Sequence, residues 1–146
     1  MHFDNKIDMK RIVVAGIMLW LIFNVISVTA DPDRKECAVC GMWIDQYERT
    51  RHVIALRDGN TAYFCSAACA VRYVKDNGQK VETIRTADFI TEQLVEAEKA
   101  FYLQGSDVPG VMSYVSTIAF ATRKDAEEFQ KMHGGRIIAF TQAFVE

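Results

Sequence analysis

Six residues return in kind fifty-six positions further along the chain. Phe64 is matched by Phe120, Ala70 by Ala126, Tyr73 by Phe129, Gly78 by Gly134, Val81 by Ile137 and Ala87 by Ala143. A chain that repeats itself in this way folds as two copies of one small unit, and neither copy is long enough to bury a core alone. The first copy shows what the unit is. Residues 51–57 (RHVIALR) are β-branched and partly alternating, Asp58-Gly59 is a hairpin turn, and residues 61–64 (TAYF) are the return strand. Ser66 caps a helix over residues 66–76, with Val71, Tyr73 and Val74 on its apolar face and Gly78 as its stop. Residues 80–85 (KVETIR) then alternate as a strand does.

The second copy reads the same way. Residues 101–103 are its first strand and residues 114–121 (YVSTIAFA) its second. Thr122 caps a helix over residues 123–133, Gly134-Gly135 ends it, and residues 136–140 (RIIAF) form the closing strand. The joint covers residues 86–103, within which residues 89–97 read as a short helix. The expected class is α+β: two small ββαβ repeats packed together, the first over residues 51–90 and the second over residues 91–146.

A separate segment precedes them. Lys6, Lys10 and Arg11 are followed by nineteen uncharged residues, 12–30, ending in the small-residue site Val28-Thr29-Ala30. Residues 1–30 therefore read as a signal peptide, or as an N-terminal anchor that holds the protein on the inner membrane if it is not cut. Either reading places the rest in the periplasm or another extracytoplasmic space. With half of the residues hydrophobic, a quarter charged and only two prolines, that remainder is expected to fold. A net charge of −2 offers no basic footprint for nucleic acid.

All four cysteines lie beyond the leader. Cys37 and Cys40 form a C-x-x-C pair in a loop over residues 31–50, and Cys65 and Cys69 form a C-x-x-x-C pair across the first helix start. Two spaced pairs of soft ligands are a metal-binding pattern, and a helix N-terminus favours the thiolate form that metals take. Two structural disulfides or a redox couple are the competing readings of the same cysteines. The thioethers of Met42 and Met112 extend the soft set toward copper(I), whereas zinc rarely takes methionine. Met132 reads as core filler. His133 is the best nitrogen candidate for the metal, although a packed or capping role competes for it. His52 opens a strand and reads as solvated. Trp43 and Tyr47 read as shielding the first pair or packing on the core.

The motifs Cys37-Ala38-Val39-Cys40-Gly41-Met42, Asp58-Gly59, Ala100-Phe101-Tyr102 and Val108-Pro109-Gly110-Val111-Met112 occur in that order. They are followed by Ala119-Phe120, Ala126-Glu127, Phe129 and Gly134-Gly135. Taken together, they resemble the nitrous oxide reductase accessory proteins of the NosL type, across nearly all of residues 37–144. The resemblance implies an exported copper(I)-binding protein that hands copper to nitrous oxide reductase for its copper–sulfide cluster, with two ββαβ repeats. It carries a copper role onto Cys37, Cys40, Met42 and Met112. The segment Phe64-Cys65-Ser66-Ala67-Ala68-Cys69 is similar to the second half of TRASH/YHS-type heavy-metal knuckles.

Two functions follow from these features. The first is a copper(I) metallochaperone whose partners are the metal ion and a client metalloprotein, with the membrane added if the leader stays attached. The second is a structural four-cysteine zinc module, or a sensor of thiol-seeking metals. An enzyme is not expected, because no motif places a nucleophile triad, a phosphate loop or a catalytic carboxylate pair.

Overall fold

The computed structural model describes residues 35–144. The leader, residues 1–30 with the apolar run 12–30, lies outside the described residues. Among the described residues, no helix is long and apolar enough to cross a membrane.

Two ββαβ units follow one another, as the repeat requires. In the first, β1 (His52–Leu56) and β2 (Thr61–Phe64) form a hairpin, α1 spans Ala67–Asn77, and β3 (Val81–Ala87) returns to β1. A three-residue β4 (Leu94–Glu96) extends this sheet, giving the order β2-β1-β3-β4 with antiparallel pairs throughout. In the second unit, β5 (Phe101–Gln104) pairs with β6 (Thr117–Phe120), α2 spans Arg123–His133, and β7 (Arg136–Ile138) pairs with β5. The order β6-β5-β7 repeats β2-β1-β3, with the first strand of each unit in the middle. A short α3 (Phe140–Phe144) follows.

The caps behave as their sequences dictate. Ser66 Oγ accepts the Cys69 N–H and Thr122 Oγ1 accepts the Asp125 N–H, each satisfying one free amide of a first turn. Between β2 and the start of β3, the offset of fifty-six residues holds element by element. It fails on both flanks. The hairpin link of the first unit is replaced by a long loop between β5 and β6, and Ala143, the counterpart of Ala87 in β3, sits in α3.

Alternation along β5, β6 and β7 gives the second sheet two apolar faces. Leu103, Ile118, Phe120 and Ala126 make one small core beneath α2, joined by Phe89 and Phe129. Tyr102, Ala119 and Ile138 face the other way, into a larger core shared with Ile54, Phe64, Ala70 and three of the cysteines. The cysteines therefore belong to the layer where the two repeats meet.

Four expectations are corrected. Residues 89–97 do not form a helix. Asp88 Oδ2 instead accepts the Thr91 N–H and hydroxyl, the chain turns back so that the Asp88 N–H meets Gln93 O, and β4 follows. The strand expected over residues 114–121 begins only at Thr117, because Tyr114 and Val115 stand in solvent and Ser116 is tied to Ser106. The strand over residues 136–140 stops at Ile138. Phe140 and Phe144 then stack one helical turn apart, with centroids 4.7 Å apart, and both rings lie against Tyr102. Met132, read as core filler, is exposed.

Candidate metal centre

The first cysteine pair is held by a tight loop. The Gly41 N–H donates to Cys37 O at 2.9 Å and the Cys37 N–H donates to Met42 O at 2.8 Å. Gly41 closes the turn at φ 73°, a conformation that costs glycine little and a side chain more. The Ala38 N–H donates to Tyr63 O at 2.9 Å, which docks the loop on β2 one residue before Phe64. The second pair needs no loop of its own. Cys65 directly follows β2, Ser66 caps α1, and Cys69 stands in the first helical turn. The Thr50 hydroxyl pins the junction by donating to Cys65 O at 2.7 Å.

These supports bring four sulfurs together. Cys40 Sγ lies 3.5 Å from Cys65 Sγ, Cys65 Sγ lies 3.8 Å from Cys69 Sγ, and all four sulfurs are within 4.8 Å of one another. All four cysteines are free in this structure. Cys37, Cys65 and Cys69 are 3%, 0% and 2% exposed, whereas Cys40 is partly open to solvent. Sulfurs arranged around one tetrahedral ion with bonds of about 2.3 Å would be about 3.8 Å apart, so the group is close to the size of such a site.

The thiols differ in acidity. Burial pushes the Cys37 thiol up, but backbone hydrogen bonds from Cys65, Val39 and Cys40 outweigh it and bring it down from 9.0 to about 7. Burial raises Cys65 well above its ordinary value, helped by the Cys40 sulfur and by the neighbouring Cys69 and Cys37 charges. Burial likewise raises Cys69, to about 12. The helix N-terminus was expected to favour thiolate at Cys65 and Cys69, and here desolvation and like charge prevail over it. A cation among the four sulfurs would supply the compensating charge that the metal-free group lacks.

The other candidates are distributed around this group. Met42 is partly buried against the cysteine-containing core, and Tyr47 packs there too. Val111 reaches the same core, while the next residue, Met112, is 43% exposed with its backbone at φ 57°. His133 is not part of the sulfur group. Its ring stacks on Phe129 with centroids 4.1 Å apart, and its Nδ1 contacts Asp107 Oδ1 at 2.9 Å. His52, expected in solvent, is 2% exposed. It shares the inward phase of β1 with Ile54 and packs beside Phe144. Thr50, which anchors Cys65, was not singled out from the sequence, and no local signal distinguishes it there.

A family model described as NosL matches residues 28–144. The chain is 31% identical over 124 residues to the copper-binding lipoprotein NosL of Stutzerimonas stutzeri, a match covering 75% of this chain and 62% of that protein. It is 27% identical over 107 residues to the HTH-type transcriptional repressor CutR of Bacillus subtilis (strain 168), covering 73% of this chain and 55% of the repressor. The chain thus spans less than two thirds of the length of either curated relative. Among solved structures, the copper chaperone NosL from Shewanella denitrificans is similar with a TM-score of 0.64 and 22% identity. That match covers 73% of this chain and 87% of the other, and at this identity it is a likeness of fold.

Proposed function

The chain belongs to the NosL family, and from that premise we propose that it is an extracytoplasmic copper(I)-binding chaperone. Its cargo is held at Cys37, Cys40, Cys65 and Cys69, with Met42 and Met112 as the thioethers through which the ion enters and leaves. The client is a metalloprotein under assembly, with a nitrous-oxide-reductase-like copper centre as the candidate that the family suggests. Residues 1–30 either direct export and are removed or remain as a membrane anchor.

The observation that carries this reading is the convergence of four sulfurs from two distant pairs. A set made only of sulfur suits a soft cation such as copper(I) and is poorly suited to hard ones. Partial exposure of Cys40 supports a carrier, since release requires that an incoming ligand reach at least one sulfur. Relatives named for copper binding in one case and for copper chaperoning in the other agree with it.

A second reading has its own support. The near-tetrahedral size of the sulfur group also fits zinc, held structurally by four thiolates. Competition against a copper(I) chelator of known affinity, without oxygen, separates the two. The chaperone reading expects one copper(I) per chain, retained less well after Met42→Leu or Met112→Leu. The structural reading expects zinc to be retained, no effect of either methionine, and unfolding when the zinc is withdrawn.

A further inference from the structure

The four thiols differ sharply in how they can be approached. Cys37, Cys65 and Cys69 are buried, and only the Cys40 sulfur belongs to a residue partly open to solvent. Cys40 Sγ touches Cys65 Sγ at 3.5 Å, so closing to the ~2.0 Å of a disulfide needs only a small movement. Cys37 is shut into the core cluster of the two repeats. Cys69 sits in a helical turn, and the Cys65 sulfur 3.8 Å from it is equally shut away. An oxidant too large to enter the core therefore meets one sulfur first, and that sulfur already has a partner in contact.

We propose that the metal-free protein forms a Cys40–Cys65 disulfide by exchange with an external disulfide, so that these sulfurs hold either a metal ion or a covalent cross-link. The Cys40 sulfur attacks one sulfur of the external disulfide, RSSR, forming a mixed disulfide and releasing one RSH. The Cys65 sulfur then attacks the Cys40 sulfur, breaking the mixed disulfide and releasing the second RSH. Two protein thiols are oxidised, the external disulfide is reduced to two thiols, and the two protons leave on those thiols. The cross-link joins the loop of the first pair to the start of α1. It takes two of four ligands out of use, and metal loading would then require prior reduction. Only this last consequence rests on the metal-binding reading; the cross-link itself does not.

The test uses the full chain, metal-free and reduced, treated with oxidised glutathione in the absence of oxygen. After quenching with acid and alkylation of the remaining thiols, mass mapping of the peptides locates every bond. The expected product is a Cys40–Cys65 disulfide with Cys37 and Cys69 alkylated. Cys65→Ser is expected to strand glutathione on Cys40, and Cys40→Ser to slow consumption of oxidised glutathione by at least about tenfold, since access governs the first step. Circular dichroism of each serine variant confirms that these rates belong to folded protein. First attachment at a buried cysteine, a Cys37–Cys40 or Cys65–Cys69 bond as the main product, or four thiols that stay reduced would each overturn the proposal. Preloading with copper(I) or with zinc is expected to block the reaction. If the Cys40–Cys65 bond forms equally fast with either metal present, the metal-binding reading fails while the cross-link stands.

Discussion

Cys40 and Cys65 are twenty-five residues apart in sequence, yet their sulfurs lie 3.5 Å from each other. One belongs to a loop before the first repeat and the other to the junction between β2 and α1. The contact exists because the loop donates the Ala38 N–H to Tyr63 O, and because the hairpin returns the chain to that edge. If one ion uses both pairs, neither pair alone should hold it well. Structural four-ligand sites are worth about 10–16 kcal/mol, or roughly 3 kcal/mol per ligand, so each Cys→Ser change should weaken retention about a hundredfold. Chelator competition with single and paired serine variants measures this. Equal retention in the Cys65→Ser/Cys69→Ser variant and the wild type would assign the metal to the first pair alone.

Metal loading should acidify the solution. Burial pushes the pKa values of Cys65 and Cys69 well above neutral, so each is protonated at pH 7 and must release a proton when it becomes a ligand. Retention should therefore weaken as pH falls. Titration of copper(I) into weakly buffered protein, following the base needed to hold pH 7, reads the proton count directly. Loading without proton release would exclude these two sulfurs as thiolate ligands.

His52 makes a separate pH prediction. Burial lowers its pKa from 6.5 to about 4, only partly offset by its hydrogen bond to Thr50 O, and its Nε2 is buried without a partner. Below pH 6.5 the unfolded chain takes up a proton that the folded one refuses, so stability falls as pH drops from 6.5 toward 4. The ceiling on this loss is about 3 kcal/mol. Denaturant unfolding at pH 7 and pH 4.5 should show a smaller drop in His52→Gln than in the wild type. Identical drops would mean that His52 does not titrate in that window.

Asp88 ties the repeats together. It is 1% exposed, and its carboxylate accepts the Ala121 N–H at 3.0 Å while also holding Thr91. Burial would raise its pKa, but these hydrogen bonds hold it below the usual carboxylate value. Its contribution is thus present at neutral pH and is lost only as pH falls through that lowered value. Asp88→Ala leaves buried donors unpaired and should cost about 2–3 kcal/mol of stability. Metal stoichiometry should not change, which separates a structural role from a ligand role.

How far these features were legible before the structure depends on how local their causes are. The helix starts at Ser66 and Thr122 were readable because a cap, its amide and the apolar spacing lie within one turn. The ββαβ order was readable because one copy could be checked against the other. By contrast, α3 exists because Phe140 and Phe144 pack on Tyr102, nearly forty residues earlier, and β4 follows a turn that Asp88 organises. The two cysteine pairs announced themselves by spacing. Their acidities did not, because burial and neighbouring charge appear only once the repeats are assembled. The burial of His52 depended in the same way on which face of β1 meets the core.

Everything proposed for the metal depends on the four converging sulfurs holding copper(I). X-ray absorption of the full chain loaded with copper(I) without oxygen, with copper counted per chain, tests it most directly. One copper per chain is expected in a sulfur shell at about 2.3 Å, lost in the Cys37→Ser/Cys40→Ser variant. Copper bound through nitrogen or oxygen, or copper retained undiminished in that variant, would contradict it.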